Sequence, residues 1–127
     1  MFIKESNDLA FIDFSDKKYS YKEFMTNIKK YSSLYDELNG KNVLILSENR
    51  PEWLYSFFSI WNNAGIAVAI DANSNPDEIA YVLNDSAPEI IFCTGGTKER
   101  VEKALEKLES YDGHVKIINI DSINLDE

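Results

Sequence analysis

Cysteine is nearly absent: Cys93 is the only one in the 127 residues, so no disulfide can form within the chain. Such sparing use fits a reducing compartment. Histidine is equally scarce, with His114 alone. Basic residues are in the minority, 13 Lys and Arg against 22 Asp and Glu, for a formal charge of −9. A surface that tracks nucleic-acid phosphates or an anionic membrane needs the opposite sign, so neither partner is expected. Acidity of this size favours solubility without naming a partner. The opening MFIKESNDLA has no long apolar run and no cleavage pattern, so no signal peptide is expected. The most apolar stretch, Leu54 to Ile70, is interrupted by serine, asparagine and glycine, which argues against a transmembrane helix. The chain is expected to be soluble and cytoplasmic. It has no linker, no low-complexity segment and no internal repeat.

What is present reads as one globular domain over residues 1–127. Hydrophobic residues make up 44% and charged residues 28%, a folded rather than a disordered balance. The length allows a real core. LAFIDF (9–14) and KYSY (18–21) are β-prone runs flanking Ser15-Asp16-Lys17, the pattern of a hairpin. Ser20-Tyr21-Lys22-Glu23 follows as a capping box, in which hydroxyl and carboxylate bond each other's free backbone N–H groups. The spacing of Tyr21, Phe24, Met25, Ile28, Tyr31, Tyr35 and Leu38 predicts one helix face, ended by Asn39-Gly40. NVLILS (42–47) is a continuous apolar run, as in a strand buried on both faces.

Pro51 then opens a second helix, since its missing N–H would have no partner in a first turn. Trp53, Phe57, Ile60, Trp61 and Ala64 predict its inward stripe, widened by Leu54 and Phe58, and Gly65 is expected to stop it. IAVAI (66–70) is expected to be a second buried strand. Asn75-Pro76-Asp77-Glu78 starts a third helix, with Ile79, Val82 and Leu83 inward. EIIFC (89–93) is a third strand. Val101, Ala104, Leu105 and Leu108 stripe a fourth helix, and VKIINI (115–120) is a fourth strand before a fraying tail. The expected fold is α/β: an N-terminal β-hairpin, then alternating helices and a mostly parallel sheet with helices on both faces.

Sites in such sheets form beyond the carboxyl ends of the strands. Those ends are Ser47-Glu48-Asn49, Asp71-Ala72-Asn73, Cys93-Thr94-Gly95-Gly96 and Asp121. Glu48 and Asp71 have the oxygen chemistry for a hard cation if they share a rim, although solvated loop acids read the same way. CTGGTKER (93–100) invites comparison with a phosphate loop, but G-x-x-x-x-G-K-[ST] and G-x-G-x-x-G are both absent, and a strand-to-helix turn explains the glycines. His114 reads as structural or exposed, Cys93 as a small packing hydrophobe. Trp53 and Trp61 have the helical spacing of core or domain-interface packing rather than of a stacking surface. No catalytic, cofactor-binding or metal residue is assigned from these patterns.

Four motifs carry a resemblance. Tyr19-Ser20-Tyr21-Lys22-Glu23-Phe24 resembles a Tyr-Thr-Tyr-x-Glu-Leu core motif. Asn49-Arg50-Pro51-Glu52-Trp53 resembles an Asn-x-Pro-Glu-Trp corner. Ala64-Gly65-Ile66-Ala67-Val68-Ala69-Ile70-Asp71 resembles Ala-Gly, three small or apolar residues, then Pro-Leu-Asp, with Ala69 in place of the proline. The run from Asn75 to Ser86 resembles S-P-E-E-I-x-Y-I-L-x-D-S. Each is weak alone. In order and at this spacing, over roughly residues 17 to 120, they resemble the N-terminal part of the adenylate-forming (AMP-binding) superfamily, closest to long-chain fatty-acid–CoA ligases.

The resemblance implies an enzyme that uses ATP and magnesium to turn a carboxylate into an acyl-adenylate and passes it to coenzyme A. The family's lysine-bearing phosphate loop, ribose-binding acid, Thr-Glu pair and small C-terminal domain with its catalytic lysine fall outside the matched motifs. The chain is therefore expected to be a structural portion of the large domain, inactive alone and holding no cofactor. Its expected partner is the remainder of the same polypeptide, and bared apolar surface would favour self-association. Two rivals stand beside this. A receiver-like signalling domain needs an acidic pair after the first strand and a lysine at the end of the last, whereas Lys116 falls near that strand's start and its end is Asn119-Ile120-Asp121. A free-standing interaction module would use the aromatic helix as a docking face.

Overall fold

The computed structural model describes residues 9–12, 18–108 and 115–123. The expected turn at Ser15-Asp16-Lys17, His114 and the tail beyond Ile123 lie outside the described residues. Strands β1 (Leu9–Ile12) and β2 (Lys18–Ser20) pair antiparallel as the expected hairpin. Then come α1 (Tyr21–Ser32), β3 (Asn42–Ile45), α2 (Pro51–Asn62), β4 (Ile66–Ala69), α3 (Pro76–Ser86), β5 (Ile90–Cys93), α4 (Lys98–Glu106) and β6 (Lys116–Asn119), closed by a 3-10 turn at Ile120–Ser122.

The main sheet is parallel, in the order β4-β3-β5-β6. The chain steps from β3 out to β4, then back past β3 to β5 and on to β6. Right-handed crossovers in opposite directions must lie on opposite faces of a sheet. The two cores show this division. Val43, Ile45 and Phe92 pack with Ile28, Tyr31 and Ile60 of α1 and α2. Leu44, Leu46, Ile91 and Cys93 pack with Ile79, Leu83 and Val101 of α3 and α4. The central strands β3 and β5 are buried on both faces, as their unbroken apolar runs predict.

Capping chemistry sets the helix starts. Ser20 Oγ accepts from the Glu23 N–H at 3.2 Å, the forward half of the expected box. Asn75 and Glu78 form both halves: Asn75 Oδ1 accepts from Glu78 N–H at 2.8 Å, and Glu78 Oε1 from Asn75 N–H at 3.4 Å.

Three expectations fail. First, α1 ends at Ser32 rather than at Asn39-Gly40. Ser32 and Ser33 turn their hydroxyls onto the carbonyls of Ile28 and Lys30, local bonds that compete with continued helix. Asn63 Nδ2 donates to the carbonyls of Ser32 and Tyr35, stabilising the early exit. Leu38 still reaches the core, from the loop.

Second, the α2 stripe is met only in part: Ile60 is buried and Trp53, Leu54, Phe57 and Phe58 pack half-buried on the core, but Trp61 and Ala64 face solvent. The buried residues of α2 are Tyr55, Ser56, Ser59 and Ile60, while Trp61 is 56% exposed. The buried serines have partners: Ser56 Oγ donates to Glu52 O and Ser59 Oγ to Ser56 O, both at 2.8 Å, and Tyr35 Oη lies 2.6 Å from Ser59 Oγ. Satisfied hydroxyls cost little to bury and leave room for α1. The Tyr55 ring goes inside, Trp53 and Phe57 stack at 5.4 Å half-buried against the core, and Trp61 alone of the α2 rings is exposed.

Third, β4 is an edge strand rather than a buried one, with Ile66 53% exposed. Gly65 also serves differently from its expected role as a stop. The left-handed residue is Ala64, at φ 61°. A side chain at Gly65 would collide with Leu38 Cδ1 and sit 3.0 Å from Ile60 Cγ2, so glycine is there for close approach.

Candidate functional site

The connections leaving β3 and β5 run in opposite directions, so a topological switch point lies between their carboxyl ends. This is the place where parallel sheets open a ligand crevice. Here it is bridged by the chain's own bonds. Glu48 Oε1 accepts from Thr94 Oγ1 at 3.0 Å. Thr94 N–H donates to Thr97 Oγ1 at 2.9 Å, and that hydroxyl donates to Leu46 O, tying the loop after β5 to the end of β3. A Cβ at Gly96 would lie 2.9 Å from Glu48 Oε1, the mobile end of that side chain.

Gly95 N–H, a candidate anion donor, is occupied by Asp121 Oδ2 at 2.7 Å. Arg50 Nη2 lies 2.8 Å from the other oxygen of Asp121, and Arg50 Nε donates to Glu52 Oε2 at 3.0 Å. The Gly95 N–H and then the Arg50 guanidinium hold the Asp121 carboxyl below its ordinary range. The Glu52 bond, joined by Asp121, pushes Arg50 further toward the charged form against partial burial. Arg50 occupies the N-cap of α2, where the helix dipole disfavours a cation. That misplacement is the signal in the sequence for its acidic neighbours, and it went unread. Arg100 was missed as well: its Nη1 donates to Ser74 O at 2.7 Å and its Nη2 to Gly96 O at 3.4 Å, joining two rim loops.

The two acids weighed for a hard cation have separate partners. Asp71 Oδ1 accepts from Asn73 N–H at 2.8 Å within its own loop, while Glu48 bonds Thr94. Among the described residues no group of three His, Cys, Asp or Glu side chains is placed to hold a metal ion. Cys93 is fully buried, and burial pushes its thiol up to about 11, which keeps it protonated and inert. Lys116 Nζ donates to Leu34 O at 2.7 Å from the start of β6, so the lysine a receiver domain needs at the other end of the last strand is not supplied by this residue. These donors do not fit a magnesium-bound triphosphate: the Gly95 N–H already holds a carboxylate, and Glu48, Glu52 and Asp121 would repel the phosphates.

A family model described as AMP-binding enzyme matches residues 3–126, and the chain belongs to that family. Neither the receiver-like nor the interaction-module alternative draws support from it. A 4-hydroxybutyrate–CoA ligase of Metallosphaera sedula is 30% identical over 86 residues, 65% of this chain and 16% of that protein. A fatty acyl-CoA synthetase of Dictyostelium discoideum is 29% identical over 100 residues, 73% of this chain and 15% of that protein. The chain thus spans about a sixth of the length of the curated relatives it matches. In fold it is similar to the N-terminal domain of FACL13 from Mycobacterium tuberculosis, with a TM-score of 0.77 at 18% identity over 95% of this chain and 34% of that one. It is also similar to a benzoate CoA ligase from Burkholderia xenovorans, with a TM-score of 0.75 at 15% identity over 91% of this chain and 23% of that one. No helix among the described residues is long and apolar enough to cross a membrane.

Proposed function

We propose that the chain is the N-terminal portion of the large domain of an ATP-dependent acyl-CoA synthetase. The whole enzyme would join a carboxylic acid to AMP, releasing pyrophosphate, and then transfer the acyl group to the thiol of coenzyme A in the cytoplasm. The observation that carries this is the family match over residues 3–126, joined by relatives named for CoA-ligase activity. Within that enzyme the chain is frame. Its motifs are a capping box, a first-turn proline and a close-packed glycine, and its rim carboxylates bond the chain itself.

The test pairs two assays. Calorimetric titration of the 127-residue chain with ATP and magnesium should give no heat of binding, and a coupled pyrophosphate assay on the chain with ATP, coenzyme A and a panel of carboxylic acids should give no turnover. The full-length gene product should turn over. Turnover by the chain alone would overthrow the assignment as frame; an inactive full-length product would overthrow the synthetase assignment.

A further inference from the structure

The outer face of α2 has no cover among the described residues. Trp61 is 56% exposed and Ile66 at the start of β4 is 53% exposed, while Trp53 and Phe57 are half-buried, resting on the chain's own core with one side and leaving the other open. From Trp53 through Ile70 the sequence carries no charged residue, in a chain whose formal charge is −9. Water-facing helices carry a polar face; a helix that is apolar all round is covered on all sides. Helix α4 meets this rule, opposing its buried stripe with lysines and glutamates, and α3 sets its one exposed ring, Tyr81, among the exposed acids Asp77, Glu78 and Asp85. A solvated surface does not account for α2.

The comparisons supply the occupant. The chain matches 34% of a solved N-terminal domain, so about two thirds of that domain's polypeptide lies outside the matched region. Building on the large-domain reading above, we infer that the face formed by Trp53, Phe57, Trp61 and Ile66 is the seat of the polypeptide that completes the large domain. Its occupant is an apolar, uncharged segment of that same polypeptide. Against the net charge of −9, a charge-free face also accepts such a segment without like-charge repulsion. A second copy of the chain is the competing occupant, and it would be displaced when the domain is whole.

Hydroxyl-radical footprinting of the full-length gene product tests this. Trp61 should be modified several-fold more slowly than in the 127-residue chain, at any protein concentration. Equal rates at Trp61 in both would overturn the inference while leaving the synthetase assignment standing. Protection that appears only as concentration rises would also overturn it, in favour of a second copy. A gene product that ends at Glu127 would remove the large-domain reading and this inference together. Trp61→Lys supplies an independent readout. It should leave the thermal midpoint of the 127-residue chain unmoved and lower that of the full-length product, or prevent its folding. A loss of folding in the 127-residue chain itself would make Trp61 an internal core residue and overturn the inference.

Discussion

The two helical layers of this sheet are finished differently. On the side of α3 and α4, apolar residues point in and charges point out, with Tyr81 the one large ring exposed among them. Lys98 and Glu102, and Glu99 and Lys103, are spaced one turn apart, and Lys107 reaches Asp77 at 3.0 Å between the helices. Exposed pairs of this kind add little stability, but they mark a face at home in water. On the other side, α2 carries one charged residue, Glu52, in 12. Its inner face mixes Tyr55 and Ile60 with two serines, and its outer side presents Trp61 to solvent. Both layers bury an apolar interior, yet only one has a charged exterior. A complete core does not by itself make a complete domain, and the chemistry of the far side of a helix tells the two apart.

The largest effect should come from opening a cavity on each side. Ile60 and Ile79 are both fully buried, one under α2 and one under α3. Replacing either with alanine should cost about 2–5 kcal/mol in urea unfolding. Similar costs would confirm that the layers differ only outside; a cost below about 1 kcal/mol for Ile60→Ala would break the comparison, because α2 would then be loosely held even within. Gly65→Ala comes next. The new methyl would collide with Leu38 Cδ1, and overpacking of this kind costs about 1–3 kcal/mol. Measured in a Leu38→Ala background, which carries its own cavity cost, the further cost of Gly65→Ala should shrink if the contact is the cause.

The smallest effect should be at the rim. The Asp121 side chain is 42% exposed, so Asp121→Asn should cost less than about 1 kcal/mol at neutral pH. Its folded-state pKa lies below the ordinary 3.8, so the carboxylate's contribution is present above that value and is lost as the pH falls through the depressed one. The difference in stability between the wild type and Asp121→Asn should therefore shrink toward zero in acid. A difference that persists at low pH would assign the effect to packing instead of charge, and would detach the rim from its ion pair.

Much of this was legible in the chain. The β5 run EIIFC, the cap at Asn75 and the proline at position 51 are local signals, and the structure realises each of them. The α2 orientation was not. Period counting asks which face is most apolar, and in PEWLYSFFSIWN nearly every face qualifies, so the largest rings were assigned inward. The serines that went inside are buried because each hydroxyl found an acceptor, and that is known only once partners are in place. Similarly, IAVAI reads like a central strand, but its neighbours depend on where the crossovers send the chain.

By itself, then, the sequence determined the alternation of strand and helix and the helix starts at Ser20, Pro51 and Asn75. These follow from torsional preferences and from apolar spacing within a few residues. The motifs also carried the family. Only the tertiary structure decided the order β4-β3-β5-β6, the orientation of α2 and the bridging of Gly95 to Asp121 across 26 positions. Those depend on contacts between residues far apart in sequence, whose energies exist only after the chain has folded back on itself.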